Sequence, residues 1–450
     1  MINKNDHFIG ECVDYSYLGL GVVKHEGFCL FVKGMLVGEI GEIVVTTVKK
    51  DHGFGRLLKL QKASDARVES DCPYYPMCGG CQLLHMAYDE QLSFKQHYIE
   101  QLMSKALKTE IKINKIKGME QPYHYRNKVQ IPLETNDNQI VGGFYRYNSH
   151  DIVPIENCIL QSDKSNLIYR KIMTLLNKYH IKDVIKHVLI KHGFSSDQIM
   201  IVFIINQNHL PYETEIVDHL SSDPLIKSII VNVNKRSDNV ILGSDEKVIY
   251  GKDHITDDLM GYKFSISSKS FYQINSKQTE VLYQVAYDMA NLNKEDTLLD
   301  LYCGIGTIGL IASQYVKEVV GIEIVEQAVK DAENNALLNK VTNTSFYTGE
   351  AKDVAQRLLE DGKYFNVIFV DPPRKGLDDV TIETIIKLNP ERLVYISCNP
   401  ATLARDLVIF DHNGYKAKII QPVDMFPNTY HVETCVLLSH KNSQASSPSL

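Results

Sequence analysis

Four apolar runs between residues 297 and 400 each end in a glycine-rich or polar turn: TLLDLYCGIGTIGL (297–310), EVVGIEI (318–324), NVIFVDPPR (366–374) and RLVYISCNP (392–400). Short strand-like runs separated by helix-length segments build parallel sheets, because parallel neighbours need a crossover long enough to hold a helix. The expected fold class is α/β, with a doubly wound C-terminal sheet over 269–440. Sheets of this kind bind ligands beyond the carboxyl ends of their strands, so the four turns are where chemistry is to be sought.

At 450 residues the chain is longer than one hydrophobic core ordinarily supports. Residues 1–64 carry short runs with period-two alternation broken by glycines, as in GLGVV (19–23), FCLFVKG (28–34) and GEIVVTTVKK (41–50), which suggests a small β-barrel. Residues 65–268 mix strand-like runs such as HVLIKHG (187–193) and QIMIVFIIN (198–206) with helical stretches and read as an α+β domain. The polar tail 441–450 has too little apolar surface to fold and is expected to be disordered.

No apolar run is long enough to cross a bilayer, and the start MINKNDHFIGE lacks the design of a secretory signal. Those features point to the cytoplasm, where thiols stay reduced, so the nine cysteines are not a disulfide framework. A formal net charge of −7 means that any phosphate-binding surface must be local. Lys49, Lys50, Arg56, Lys59 and Lys62 concentrate positive charge at the end of the barrel region, as a nucleic-acid groove or merely as a solvated strand edge.

The segment Asp300–Gly309 follows a strand and opens a helix, and its glycines let backbone approach a ligand. Glu323 ends the next strand, where an acidic side chain can accept from both hydroxyls of a ribose. A dinucleotide or S-adenosylmethionine would fit both features. Asp371-Pro-Pro-Arg374 resembles a methyltransferase motif that meets cofactor and target base together, which favours the second.

Cys398, in Ser-Cys-Asn-Pro, sits at the carboxyl edge of the expected sheet, where Cys303 and Cys435 are less well aimed. A thiolate added at C6 of uracil turns C5 into a carbon able to take a methyl group, and a base must then remove the C5 proton. Glu433, in His-Val-Glu-Thr, is the candidate base and His431 the weaker rival. Arg374 and Arg405 are expected near Cys398, favouring its thiolate. Cys72, Cys78 and Cys81, spaced C-x5-C-x2-C, form with Cys158 a set of four thiols that suits zinc or an iron–sulfur cluster equally well. The spacing is not the C-x3-C-x2-C of radical S-adenosylmethionine enzymes.

Together these motifs resemble the RNA uracil-5-methyltransferases over nearly the whole chain, especially the branch that acts on 23S ribosomal RNA and carries an iron–sulfur cluster. The resemblance implies a class I methyltransferase sheet, Cys398 as nucleophile and Glu433 as base. It implies Gln273, Tyr302, Glu323 and Asp371 as the S-adenosylmethionine site, and a [4Fe-4S] cluster on Cys72, Cys78, Cys81 and Cys158. The N-terminal region resembles the TRAM domain, an RNA-binding barrel, with Phe28, Phe31 and Phe54 as candidate base platforms. Two departures from the family pattern, Leu84 and Val37, touch none of these positions.

Tyr123–Lys128 and Gly142–Tyr147 interleave aromatic and basic residues, a texture suited to an unstacked RNA loop. The expected activity is 5-methyluridine formation in 23S rRNA. Methylation of tRNA, cytosine-C5 methylation and a non-catalytic RNA-binding assembly role are the alternatives. No membrane and no obligate protein partner are implied.

Overall fold

The computed structural model describes residues 2–107 and 111–440; the expected disordered tail lies outside them. Among the described residues no helix is long and apolar enough to cross a membrane.

The strands His7–Tyr15, Gly21–His25, Phe28–Lys33, Ile40–Val48 and His52–Lys62 close into a barrel. Its interior takes one side of each alternating run, including Val23, Val32 and Ile43. Closure leaves no free sheet edge, and the five basic residues at its end are all exposed.

A seven-stranded sheet follows, ordered Asp245–Gly251, Ile226–Val233, Ile199–Ile205, Ile185–His192, Lys128–Asn136, Gln139–Tyr145, Ile152–Pro154. Its central run Ile199–Ile205 is buried at every position, so both faces of the sheet are covered there.

The C-terminal sheet has eight strands in the order Thr344–Thr348, Glu318–Glu323, Thr297–Leu301, Val367–Val370, Arg392–Ser397, Glu433–His440, Tyr415–Val423, Lys112–Ile113. The first five run parallel, as the sequence pattern predicts, and Glu433–His440 inserts antiparallel beside Arg392–Ser397. Leu298, Val319, Phe369 and Ile396 pack into one core, while Leu299, Val320, Ile368 and Tyr395 pack into a second on the opposite face. This is the class I methyltransferase-like α/β fold.

The last strand of this sheet was not legible in sequence. Lys112–Ile113 pairs in parallel with Ile419–Ile420, and the helix Tyr88–Ala106 lies against the helix Pro400–His412. Residues that sequence reading groups with the middle region thus extend the C-terminal sheet; a two-residue strand more than 300 positions from its partner has no periodicity to announce it.

Candidate active site and cysteine cavity

The strand order reverses at Thr297–Leu301, which has Glu318–Glu323 on one side and Val367–Val370 on the other. The turn that follows is tightly wound, with Tyr302, Gly304 and Gly306 all at positive φ. At Gly306 the positive φ calls for glycine, and a Cβ would sit tightly against Leu310, Ala332 and Phe346. The turn is fixed to the next strand through Glu323, whose carboxylate accepts from the amides of Gly304 (3.1 Å) and Val325 (2.9 Å).

A cavity of about 660 Å³ opens at these strand ends. Gln273, Tyr302, Glu323, Asp371, Cys398 and Glu433 all line it, so the six side chains singled out in the sequence converge on one space. Cys398 and Glu433 come from adjacent antiparallel strands, with Ser397 opposite Thr434. The Cys398 turn is tied to the Pro-Pro turn, because Asn399 Nδ2 and Thr402 Oγ1 both donate to the carbonyl of Arg374 at 3.0 and 3.2 Å. Cys303 and Cys435 are buried outside the cavity.

Sequence reasoning missed how the Gln273 loop is held. Lys191 Nζ, buried in the central sheet, donates to the carbonyls of Ser267 (2.7 Å) and Ser270 (2.9 Å), and Asn127 Nδ2 donates to that of Gln273 (2.8 Å). Phe271, 63% exposed, projects into the same cavity; the only sequence signal was an unexplained aromatic beside Gln273.

The electrostatics depart from expectation. Burial, then the neighbouring Glu433 and Asp371, push the Cys398 thiol up to about 11, against the opposing pull of Arg374. Arg405 does not face the thiol; it pairs with Asp406 and donates to the carbonyls of Lys375 and Leu377. The expected pair of arginines is therefore a single one, and it does not outweigh burial. Burial raises Asp371 to about 7 and lifts Glu433 well above the usual carboxylate range, with Asp371 adding to the second. His431 is driven down to about 4 by burial, so it is neutral near pH 7.

A second cavity, of about 70 Å³, is lined by Cys72, Cys78, Cys81 and Cys158. Among the described residues no group of three or more His, Cys, Asp or Glu side chains is gathered tightly enough to hold a metal ion. Burial raises the thiols of Cys78, Cys81 and Cys158. Arg126 lines the same space with a buried Nε that has no hydrogen-bond partner among the described residues, an arrangement suited to a negatively charged occupant. Within the aromatic-basic segment 123–128, Tyr125 and Asn127 are buried, Tyr125 donating to the carbonyl of Pro427 at 3.0 Å, while His124 is exposed.

The tRNA (uracil-5-)-methyltransferase family model matches residues 87–441. An uncharacterised RNA methyltransferase of Listeria innocua is 40% identical, covering 98% of this chain and 99% of its own, and one from Enterococcus faecalis is 42% identical over 97% and 98%. The crystal structure of the Pyrococcus abyssi tRNA (uracil-54, C5)-methyltransferase with S-adenosyl-L-homocysteine superposes with a TM-score of 0.74 at 26% identity, covering 96% of this chain and 100% of that one.

Only the thiolate of Cys398 is reactive toward alkylation, so below its raised pKa the rate follows the thiolate fraction. Site-resolved mass spectrometry after iodoacetamide treatment should show Cys398 labelling rising about tenfold per pH unit from 7 to 9. A plateau below pH 8 would contradict the buried-thiol account.

Proposed function

The chain belongs to the tRNA (uracil-5-)-methyltransferase family, and from that membership we propose that it methylates C5 of a uridine in RNA with S-adenosylmethionine as donor. The observation that carries the proposal is the convergence of Cys398 and Glu433 with Gln273, Tyr302, Glu323 and Asp371 on one cavity.

Glu323 accepts one backbone amide at each oxygen, and a carboxylate keeps further lone pairs that can receive ribose hydroxyls. Gln273, Tyr302 and Asp371 hold the rest of the cofactor, with Asp371 also beside the uracil edge. S-adenosylmethionine supplies an electrophilic methyl group. Cys398 Sγ, as thiolate, bonds to C6 of the uracil, and the C5–C6 electron pair shifts toward O4 as an enolate whose C5 takes the methyl while the methyl–sulfur bond breaks, its electron pair staying on sulfur and S-adenosylhomocysteine leaving. The proton still on C5 passes to Glu433; its bonding pair restores the double bond as the Cys398–C6 bond breaks. Arg374, which opposes the rise of the Cys398 pKa, favours the attacking form.

The substrate in this reading is 23S rRNA, supported by the four-cysteine cavity that the sequence resemblance associates with that branch. Transfer RNA is the second reading, favoured by the likeness to the Pyrococcus enzyme. The closed barrel serves as a TRAM-type RNA-binding module. Cys72, Cys78, Cys81 and Cys158 are not gathered about a single-ion point but line one cavity, and as thiolates they would hold a [4Fe-4S] cluster, whose negative charge suits the unpartnered Arg126 Nε.

RNA with 5-fluorouridine at the target has no C5 proton to surrender, so it should remain covalently attached to the wild-type protein and appear as a shifted band on a denaturing gel. Cys398→Ala should give no band. Glu433→Gln should retain adduct with ordinary uridine while turnover falls about a hundredfold or more; adduct formation by Cys398→Ala would refute the assigned nucleophile. Protein purified without oxygen should contain about four iron and four sulfide per chain and lose them in Cys81→Ser, whereas zinc in their place would overturn the cluster assignment.

A further inference from the structure

A smaller cleft of about 190 Å³ adjoins the main cavity and shares Arg374, Cys398 and His431 with it. Besides Asn399 and Pro400 next to Cys398, its other walls come from three separate parts of the chain: Tyr17 and Leu18 from the first barrel turn, Tyr98 from the helix Tyr88–Ala106, and Tyr430 and Val432 flanking His431. The rings of Tyr430 and His431 lie 4.3 Å apart at 44°, and Tyr17 is 61% exposed.

The barrel turn is built to stay in place. Ser16 N donates to the carbonyl of Leu20 (2.8 Å), Gly19 N to that of Ser16 (2.9 Å), and Leu20 N to Ser16 Oγ (3.1 Å). The turn rests on Leu83, so closely that a Cβ on Gly19 would come within 2.6 Å of its Cδ2. Leu83 packs with Leu36, Met86 and Phe94, and Tyr15 joins that cluster while donating to Glu90 at 2.8 Å. An exposed tyrosine is thus fixed at the lip of the active site by a different sheet from the one that carries the nucleophile.

A uridine can be attacked at C6 only after it leaves its stack, and the nucleotide beside it then loses a stacking neighbour. We propose that this cleft is a binding site for the base directly next to the target uridine, stacked on Tyr17 with its phosphate toward Arg374. The site rests on the RNA-methylating reading above. It makes the barrel part of the active site, because a base seated on Tyr17 sets the distance between the strand's backbone and Cys398. Three aromatic side chains around a cationic junction recognise single-stranded nucleic acid by stacking and charge, without demanding one base.

The test uses the full-length protein and a fluorescent single-stranded RNA oligonucleotide with one uridine, read by anisotropy. Tyr17→Ala should weaken binding about tenfold, Tyr17→Phe should stay within about twofold of wild type because the ring is kept, and S-adenosylmethionine binding should be unchanged in both. An abasic nucleotide on one side of the uridine should weaken wild-type binding to a similar degree and add nothing further in Tyr17→Ala, since both remove the same contact. Equal RNA affinity of Tyr17→Ala and wild type, or fully additive losses, would overturn the site. Formation of 5-methyluridine is measured in parallel: wild type that binds RNA through Tyr17 without producing it would refute the reaction and leave the cleft assignment standing.

Discussion

Lys95 and Asp424 form an ion pair at 2.6 Å in which neither side chain is exposed to solvent. A lone charge at such depth would cost several kcal/mol, so each residue fixes the other's position. Tyr88 donates to the second oxygen of Asp424 at 2.9 Å, and Gln91 exchanges hydrogen bonds with Asn428 through its amide and carbonyl oxygen. The helix Tyr88–Ala106 therefore grips residues 424–428 just before Glu433. The same helix supplies Phe94 to the cluster beneath the barrel turn and Tyr98 to the cleft beside Cys398. The barrel, the Cys398 cleft and the segment leading to Glu433 are held to a common member.

Around that frame buried acids gather in and behind the cavity. Asp300, raised to about 8 by burial, has one oxygen bonded to Gly309 N at 3.0 Å and the other without a partner. Asp371 and Glu433 are raised as well, and their charges oppose ionisation of Cys398. In the proposed reaction the sulfonium of the cofactor brings a positive charge into this space. Opposite charge favours the ionised form of nearby carboxyls and relieves their mutual repulsion. In the same proposed reaction, Cys398 held as thiol before substrate arrives is protected from solvent-borne electrophiles.

Much of this arrangement was legible because it depends on local sequence. The glycine turn, Glu323, the Pro-Pro turn and Ser-Cys-Asn-Pro each sit at a strand end that periodicity locates, and a doubly wound sheet brings such ends together. What escaped was set by contacts between distant segments. Arg405 could be placed near Cys398 by proximity in sequence, but not its preference for Asp406. Tyr125 and Arg126 have the composition of an RNA-facing strand and are drawn inward by Pro427 and the cysteine cavity. Lys95 did leave a trace: it falls on the line Gln91, Lys95, Ile99, Met103, four residues apart on one buried helix face. A lysine on such a stripe signals a buried acidic partner.

The account stands or falls on the product and its location. Full-length protein incubated with S-adenosylmethionine and either unmodified 23S rRNA or tRNA transcripts, followed by mass spectrometry of the digested nucleosides, reads both at once. The account predicts 5-methyluridine in the 23S rRNA and none in the tRNA. 5-Methyluridine confined to tRNA would contradict the assigned substrate, and 5-methylcytidine or no methylated nucleoside in either RNA would contradict the reaction itself.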